Sequence, residues 1–234
     1  FSDGMNVMTF YHDGYRNLVN YALFGIRKLH VGIELGMELK MSAQLSIETV
    51  ASIGRFYDNS RQQVTVTADN DARVLERNLI YSRNFRVGGT PQEAYGLGIR
   101  YQPSGFIYCN LTANYFRQQW LEYNPLRRTY SALENIVAGS DQWNRMIKQT
   151  MLPVQSTIDF FAGASVRTRF FGLKNKKTLL FNISINNLLD NRHIISGGYE
   201  QLRFDAESKN PDRFPPKYFY AMGINFSANL TIRL

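Results

Sequence analysis

The chain contains little cysteine, histidine or tryptophan, and it has no long apolar run. Its 234 residues include one cysteine, three histidines and two tryptophans. A single cysteine excludes a disulfide framework and any cysteine-rich zinc module. His12, His30 and His193 lie in separate segments without the short spacing of zinc ligands, so we expect no metal and no other cofactor. No stretch approaches the roughly 18 consecutive apolar residues of a membrane-spanning helix.

The first residues also lack the basic-then-apolar pattern of a secretory signal. Because the sequence begins with Phe1 rather than Met, we expect a mature form or a piece of a longer chain. Basic residues outnumber acidic ones by 27 to 19, which gives a formal net charge of +8. The basic residues are scattered, and no nucleic-acid-binding motif organises them. We therefore expect no nucleic acid partner and favour contact with anionic lipid or acidic ligands.

What the chain has in abundance is strict alternation of apolar and polar residues. Successive side chains of a β-strand lie on opposite faces of a sheet, so this alternation predicts strands with one apolar and one polar face. The clearest example covers the last seventeen residues of the chain. The pattern predicts eight strands, at 5–12, 31–41, 45–54, 95–102, 107–116, 158–170, 179–186 and 218–234.

The connections between these strands alternate in length. Short connections are predicted at 42–44, 103–105 and 172–177, and long ones at 13–29, 58–94, 124–156 and 188–216. Short turns at one end and long loops at the other are typical of outer-membrane barrels. From Phe160 to Phe170 a tilted strand would rise by roughly 25 Å, the height of the apolar band of such a barrel. The sequence therefore predicts an all-β, antiparallel transmembrane β-barrel whose apolar face contacts lipid and whose polar face lines a wet lumen.

Four segments of this pattern carry short motifs. The first is Tyr15–Tyr21 (YRNLVNY) followed by His30–Gly36 (HVGIELG), and the second is the strand Leu45–Tyr57. The third is Phe181–Asn191 (FNISINNLLDN), and the fourth is the closing strand with its apolar last residue. In this order and at these distances, the chain resembles the C-terminal part of the barrel of TonB-dependent outer-membrane receptors over essentially its whole length.

Two positions depart from the usual pattern of that family. The last residue is Leu234 where Phe is more usual, and Asn229 stands where the family's assembly signal tends to have Gly. The resemblance nevertheless implies that Phe226, Leu230, Ile232 and Leu234 form the C-terminal signal that the barrel-assembly machinery reads. Residues 1–234 would supply about eight C-terminal strands of a barrel of about 22, and this chain would contain neither the plug domain nor the TonB box.

The resemblance also implies a function. The protein would import a nutrient across the outer membrane of a Gram-negative bacterium and would not be an enzyme. Its implied partners are the lipid bilayer, the rest of the receptor (plug and remaining strands), the TonB complex and, as in some family members, a surface lipoprotein. Loops carry the binding residues of such scaffolds. The candidate ligand contacts are the loop aromatics Tyr57, Tyr81, Phe85, Trp120, Tyr123, Trp143 and Tyr199.

Other interpretations remain open at this stage. The apolar spacing within 131–149 predicts a short surface helix. Charged residues such as Glu48 and Arg100 fall on the lumen face, where they could contact ligand or neutralise one another. A complete eight-stranded barrel acting as an anchor or adhesin is an alternative function, although many small lumen residues suit a wider barrel. A second alternative is an outer-membrane hydrolase in which His12 and Asp13 act with Asp58.

Overall fold

The computed structural model describes residues 4–104, 106–168 and 177–233, which fold almost entirely as antiparallel β-structure. The fold class predicted from the sequence, all-β with antiparallel strands, is therefore confirmed. The strands are β1 Gly4–His12, β2 Asn17–Ile26, β3 Lys28–Lys40, β4 Leu45–Asp58, β5 Gln63–Ala68, β6 Val74–Leu79, β7 Glu93–Ser104, β8 Ile107–Arg117, β9 Gln155–Thr168, β10 Lys177–Asn186, β11 Ile195–Tyr199, β12 Lys217–Tyr220 and β13 Asn225–Arg233.

The long strands form one seven-stranded sheet in the order β3-β4-β7-β8-β9-β10-β13. Each strand pairs antiparallel with the next long strand of the chain, as in an up-and-down meander. Seven of the eight predicted strands are in this sheet. Within the described residues the sheet is open, because β3 and β13 each pair with only one neighbour in it.

One face of this sheet is apolar across all seven strands. It consists of alternate residues within 29–39, 45–53, 95–101, 107–115, 156–166, 179–185 and 226–232, which the strand register places side by side. None of these residues is charged, but at the border next to the long connections Arg55 pairs with Val31 and Glu93 pairs with Ile53 on the same face. Ile33 and Leu35 are each 66% exposed, and Leu230 is 63% exposed. We call this surface the apolar face; it is far more continuous than the apolar patches that proteins ordinarily expose to water.

The opposite face of the same sheet, the polar face, carries a hydrogen-bonded polar network. Arg100 and Glu48 form an ion pair at 2.7 Å, which fits the interpretation that lumen charges neutralise one another. Such exposed pairs contribute only about 0–1 kcal/mol. The Asn114 amide donates to the Asp159 carboxylate at 2.8 Å. These partly exposed groups indicate a wetted surface.

A second sheet, in the order β1-β2-β5-β6, lies within segments that were predicted to be loops or part of the barrel. The predicted loop 13–29 contains β2, and the predicted loop 58–94 contains β5 and β6. The predicted strand at 5–12 forms, as β1, but it pairs with β2 in this sheet and not with β3. Its buried residues form a hydrophobic core with Ile80 and Leu126; the strand residues are Val19, Tyr21, Leu23, Val64 and Val66.

The short helix predicted within 131–149 is present, but it covers only part of the segment, and a second short helix precedes it. The structure has a 3₁₀ turn, Leu126–Arg128, and two short helices, α1 Tyr130–Leu133 and α2 Asp141–Ile147. Thr129 and Ser140 cap the helix N-termini with their hydroxyls, and Gly139 between them has a φ of +83° that ends any continuous helix. Within the described residues, no helix is long and apolar enough to cross a membrane.

The predicted uninterrupted strand 218–234 is also wrong. Its first part, β12, pairs with β11, whereas β13 pairs with β10 in the large sheet. The chain changes sheets at 221–224, where the Ile224 amide donates to the Asp190 carboxylate at 2.9 Å. Phe226, Leu230 and Ile232 of the predicted assembly signal lie on the apolar face. Leu234, Phe170 and most of the predicted turn 172–177 lie outside the described residues.

Candidate functional site

The long connections of the seven-stranded sheet all lie at one of its ends. Because neighbouring strands are antiparallel, every second strand of the sheet begins at this end, namely β3, β7, β9 and β13. The strands between them, β4, β8 and β10, end there. The segments 4–26, 59–92, 118–154 and 187–224, which we call the loop layer, contain most of the buried hydrophobic residues. The layer is therefore a folded structure with its own core, and it can hold a binding site in fixed geometry.

A cleft of about 940 Å³ opens in the loop layer. We call it the basic cleft because five of its lining residues are basic, namely Arg86, Arg127, Arg145, Lys148 and Arg203. Glu200 and Asp212 are its acidic lining residues. Its volume is within the range of small-molecule sites, roughly 300–1,000 Å³.

The floor of the basic cleft is a buried ion-pair network centred on Glu200. Arg128, which is 0% exposed, donates from Nη1 to Glu200 Oε2 at 2.5 Å and from Nη2 to Oε1 at 3.1 Å. Arg127 Nη2 donates to Oε1 at 2.9 Å. The backbone N–H of Asn124 donates to Oε2 at 2.8 Å. Bidentate, charge-assisted bonds of this kind fix the geometry as well as the charge.

This network changes the acidity of its members. Burial alone would raise the pKa of the Glu200 carboxyl, but the hydrogen bonds and charges of Arg128 and Arg127 outweigh burial and hold that pKa below its ordinary value. Burial and the neighbouring charge of Arg128 lower the pKa of Arg127 to about 10, against the opposing effect of Glu200. Both groups therefore remain charged at neutral pH, and the floor of the cleft carries two guanidinium groups against one carboxylate.

The floor also fixes the wall that carries Arg86 and Lys148. The Lys148 carbonyl accepts from Arg128 Nη2 at 2.6 Å and from Arg127 Nη2 at 2.9 Å. The Gln149 side-chain amide pairs with the backbone of Arg86 in both directions, accepting at 2.7 Å and donating at 2.8 Å. The buried network thus holds the Lys148 carbonyl, and the next residue, Gln149, holds the backbone of Arg86.

The predicted ligand contacts separate into four groups. Phe85 and Trp120 line the basic cleft. Tyr123 and Tyr199 line a second cavity of about 360 Å³. Tyr81 and Trp143 contact each other edge to face at 5.3 Å, packed against the small core formed by Ala132, Leu133 and Met146. Tyr57 lies in β4 and forms a backbone bridge with Arg86. The structure therefore brings two of the seven to the cleft.

Sequence reasoning missed the residues that build the cleft. Arg128 and Glu200 are 72 positions apart in sequence, and no periodicity or motif links them. Arg127 and Arg128 are adjacent loop cations, which composition alone classes as solvated. A pair of buried opposite charges becomes recognisable only once the connections are folded.

The three residues proposed for the hydrolase alternative do not lie in one site. His12 and Asp13 line a separate cavity of about 340 Å³ with Glu76 and Tyr15. Burial lowers the pKa of His12, despite the nearby carboxylates of Glu76 and Asp13. Asp58 instead accepts a hydrogen bond from the Tyr123 hydroxyl at 2.8 Å, and it lines the 360 Å³ cavity. No hydrogen bond or ion pair joins His12 to Asp58 in the described part of the chain.

Metal ligands are not clustered: the described residues contain no group of three or more His, Cys, Asp or Glu side chains that could hold an ion. No family model, curated protein or solved structure matches this chain. A functional assignment therefore rests on the sequence, the fold and the cleft.

Proposed function

We propose that this chain is part of the barrel wall of a TonB-dependent outer-membrane receptor and that its loop layer belongs to the outer ligand-binding surface. The observation that carries the proposal is the apolar face that crosses seven strands while the other face is polar. Its charged residues, Arg55 and Glu93, lie at the border next to the loop layer. In water, burying apolar surface is favourable by about 25 cal/mol per Å², so a soluble protein would cover such a face. Lipid covers it without any further protein element.

The height of the apolar face supports this proposal. In β3 the apolar residues run from Leu29 to Leu39, ten residue steps that extend about 33 Å along the strand. A strand tilt near 40° reduces this to a height of about 25 Å, which is the height of the apolar band of outer-membrane barrels. The loop layer at one end and the tight turn at 41–44 at the other also fit the two sides of such a barrel.

The polar face favours a wide barrel over a complete eight-stranded one. In a small barrel, side chains fill the interior. The small residues Gly36, Gly96 and Gly98 lie on the polar face and would leave much of such an interior unfilled. The unpaired outer edges of β3 and β13 favour the same interpretation, because further strands would satisfy their backbone groups. In this proposal ligand binding at the loop layer precedes a TonB-driven rearrangement of the plug, which another part of the receptor would supply.

Membrane insertion is tested by labelling two adjacent residues of the central strand β8. Leu111 lies on the apolar face and Thr112 on the polar face. With Cys109 replaced by Ala, we expect a fluorophore on Leu111→Cys to be quenched by lipids with doxyl-labelled acyl chains. The same fluorophore on Thr112→Cys should instead respond to an aqueous quencher. Equal quenching at both positions would contradict the proposal.

The receptor class needs a separate measurement. We expect the intact protein, extracted in detergent, to bind the isolated periplasmic domain of TonB. Membrane insertion without TonB binding would leave the anchor or adhesin as the better interpretation.

A further inference from the structure

We propose that the basic cleft binds a ring-bearing anion, whose charge is neutralised by Arg86 and Lys148 and whose ring packs against Trp120 and Phe85. This inference rests on the proposed function in one respect, since the anion would be the ligand that the receptor imports. The binding chemistry itself depends only on the residues of the cleft.

The charges that line the cleft are not balanced by one another. Five of the seven charged side chains already have partners. Arg127 pairs with Glu200 at 2.9 Å and Arg203 pairs with Asp13 at 3.1 Å, while Arg145 pairs with Asp212. Arg86 and Lys148 make no ion pair with any acidic residue in the part of the chain that the structure describes. The cleft therefore presents two uncompensated cations to a ligand.

The segments that carry these two cations are ordered before any ligand binds. Gln149 fixes the backbone of Arg86, and the buried guanidinium groups fix the carbonyl of Lys148. A bound anion therefore does not have to order these two segments, which lowers the entropic cost of binding.

The aromatic walls of the cleft are braced as well. Phe85 packs edge to face against Tyr123, with ring centroids 5.1 Å apart, and the Arg128 guanidinium lies 5.3 Å from the Phe85 ring. Trp120 is held by a backbone bridge to Met151. Its indole Nε1 is buried without a hydrogen-bond partner. Phe85 and Trp120 line the same cleft as the two cations, so their rings favour a ligand with a ring over a bare inorganic anion.

The test is calorimetric titration of the intact protein in detergent with three small probes. Benzene-1,3,5-tricarboxylate carries both the ring and the charge, cyclohexane-1,3,5-tricarboxylate keeps the charge without the aromatic ring, and benzene-1,3,5-trimethanol keeps the ring without the charge. We expect saturable binding of both tricarboxylates, weakened by added salt, and none of the triol. Tighter binding of the aromatic tricarboxylate would support packing of the ring against Trp120 and Phe85, and equal binding would contradict that part of the proposal.

Two double variants with the same change in net charge locate the site. Because charge-assisted hydrogen bonds are roughly twice as strong as neutral ones, we expect Arg86→Gln with Lys148→Gln to weaken tricarboxylate binding at least tenfold. The matched control, Arg77→Gln with Lys217→Gln, removes two exposed cations outside the cleft and should retain the affinity within about twofold, as expected for screened charges. Arg86→Lys with Lys148→Arg keeps both charges and should also retain most of the affinity, which separates loss of charge from loss of folding.

Two results would overturn the inference. Equal weakening by the cleft variant and the control would mean that the +8 chain attracts anions without a site. Absence of binding by either tricarboxylate would mean that the cleft does not recognise ring-bearing anions at all. Failure of the labelling or TonB experiments, with cleft-dependent binding intact, would remove the receptor proposal and leave this one standing.

Discussion

At the scale of single residues, Glu200 determines whether the basic cleft keeps its shape. Its carboxylate is the counter-charge of both Arg127 and Arg128, and it is 6% exposed. Breaking a buried ion pair by removing one partner costs about 3–5 kcal/mol, because the other charge is left buried. The side chain is therefore a positioning residue for the cleft wall, since it acts on Lys148 only through the two arginines.

This role predicts a defined dependence on pH. The pKa of Glu200 is lower in the folded protein than its ordinary value, so its contribution to stability is complete above the unfolded pKa of about 4.3. That contribution is lost as the pH falls through the lower folded pKa. We expect acid to open the loop layer below about pH 4.3, read from the fluorescence of the two tryptophans.

Two substitutions distinguish the contribution of Glu200 to the acid transition from that of the other carboxylates. Glu200→Gln should be less stable at neutral pH by about 3–5 kcal/mol and should lose part of the acid transition, because its side chain no longer titrates. Asp212→Asn removes the exposed partner of Arg145, whose pair is 60% and 72% exposed, and should keep the wild-type profile. An unchanged acid profile in Glu200→Gln would show that other groups control the transition.

At the scale of elements, the strands of the large sheet could be predicted from the sequence, whereas β2, β5, β6 and β11 of the loop layer could not. β3 has one uniformly apolar face and one polar face. This contrast can be recognised in the sequence without knowledge of the residues that pack around the strand. β2 is different: Val19 and Tyr21 are buried, yet Leu18 and Phe24 on its other face are also apolar and partly exposed. Because both faces of β2 carry apolar residues, its sequence does not alternate and the strand could not be predicted. The cleft could not be predicted either, because the ion pair at its floor joins Glu200 to Arg128, which are 72 positions apart in the sequence.

One hydrogen bond braces three neighbouring strands of the large sheet and gives an element-scale prediction. Tyr108 of β8 and Asn182 of β10 both pair with Gly163 of β9, and the Tyr108 hydroxyl donates across that glycine to Asn182 Oδ1 at 2.6 Å. A Cβ at Gly163 would overlap both groups. We expect Gly163→Ala to lower stability by about 1–3 kcal/mol, as overpacking does.

The same substitution elsewhere on the polar face supplies the control. A Cβ at Gly36 would enter open space, so Gly36→Ala should be neutral or slightly stabilising, within about 0.5 kcal/mol. The measurement is the temperature at which each variant of the intact protein loses its folded mobility on a gel. If the two variants denature at the same temperature, the Tyr108–Asn182 bond does not brace the sheet.

At the scale of the whole molecule, the question is which solvent the apolar face meets. The answer changes the cost of a charge placed on it. In lipid, an arginine near the middle of a barrel strand costs about 2–4 kcal/mol, because the guanidinium loses its hydration. In water, a surface substitution at a position such as Leu111, which is 40% exposed, usually costs less than about 0.5 kcal/mol.

Leu111→Arg and Thr112→Arg therefore distinguish the two solvents on adjacent positions of one strand. We expect Leu111→Arg to reduce sharply the fraction of protein that assembles into the membrane with heat-modifiable mobility. Thr112→Arg, whose side chain would join the polar face beside Asn110 and Asn114, should assemble almost normally. Because the variants share the same strand and the same added charge, a difference between them can come only from the face. If both assemble equally well, the apolar face does not contact lipid, and some other surface must cover it.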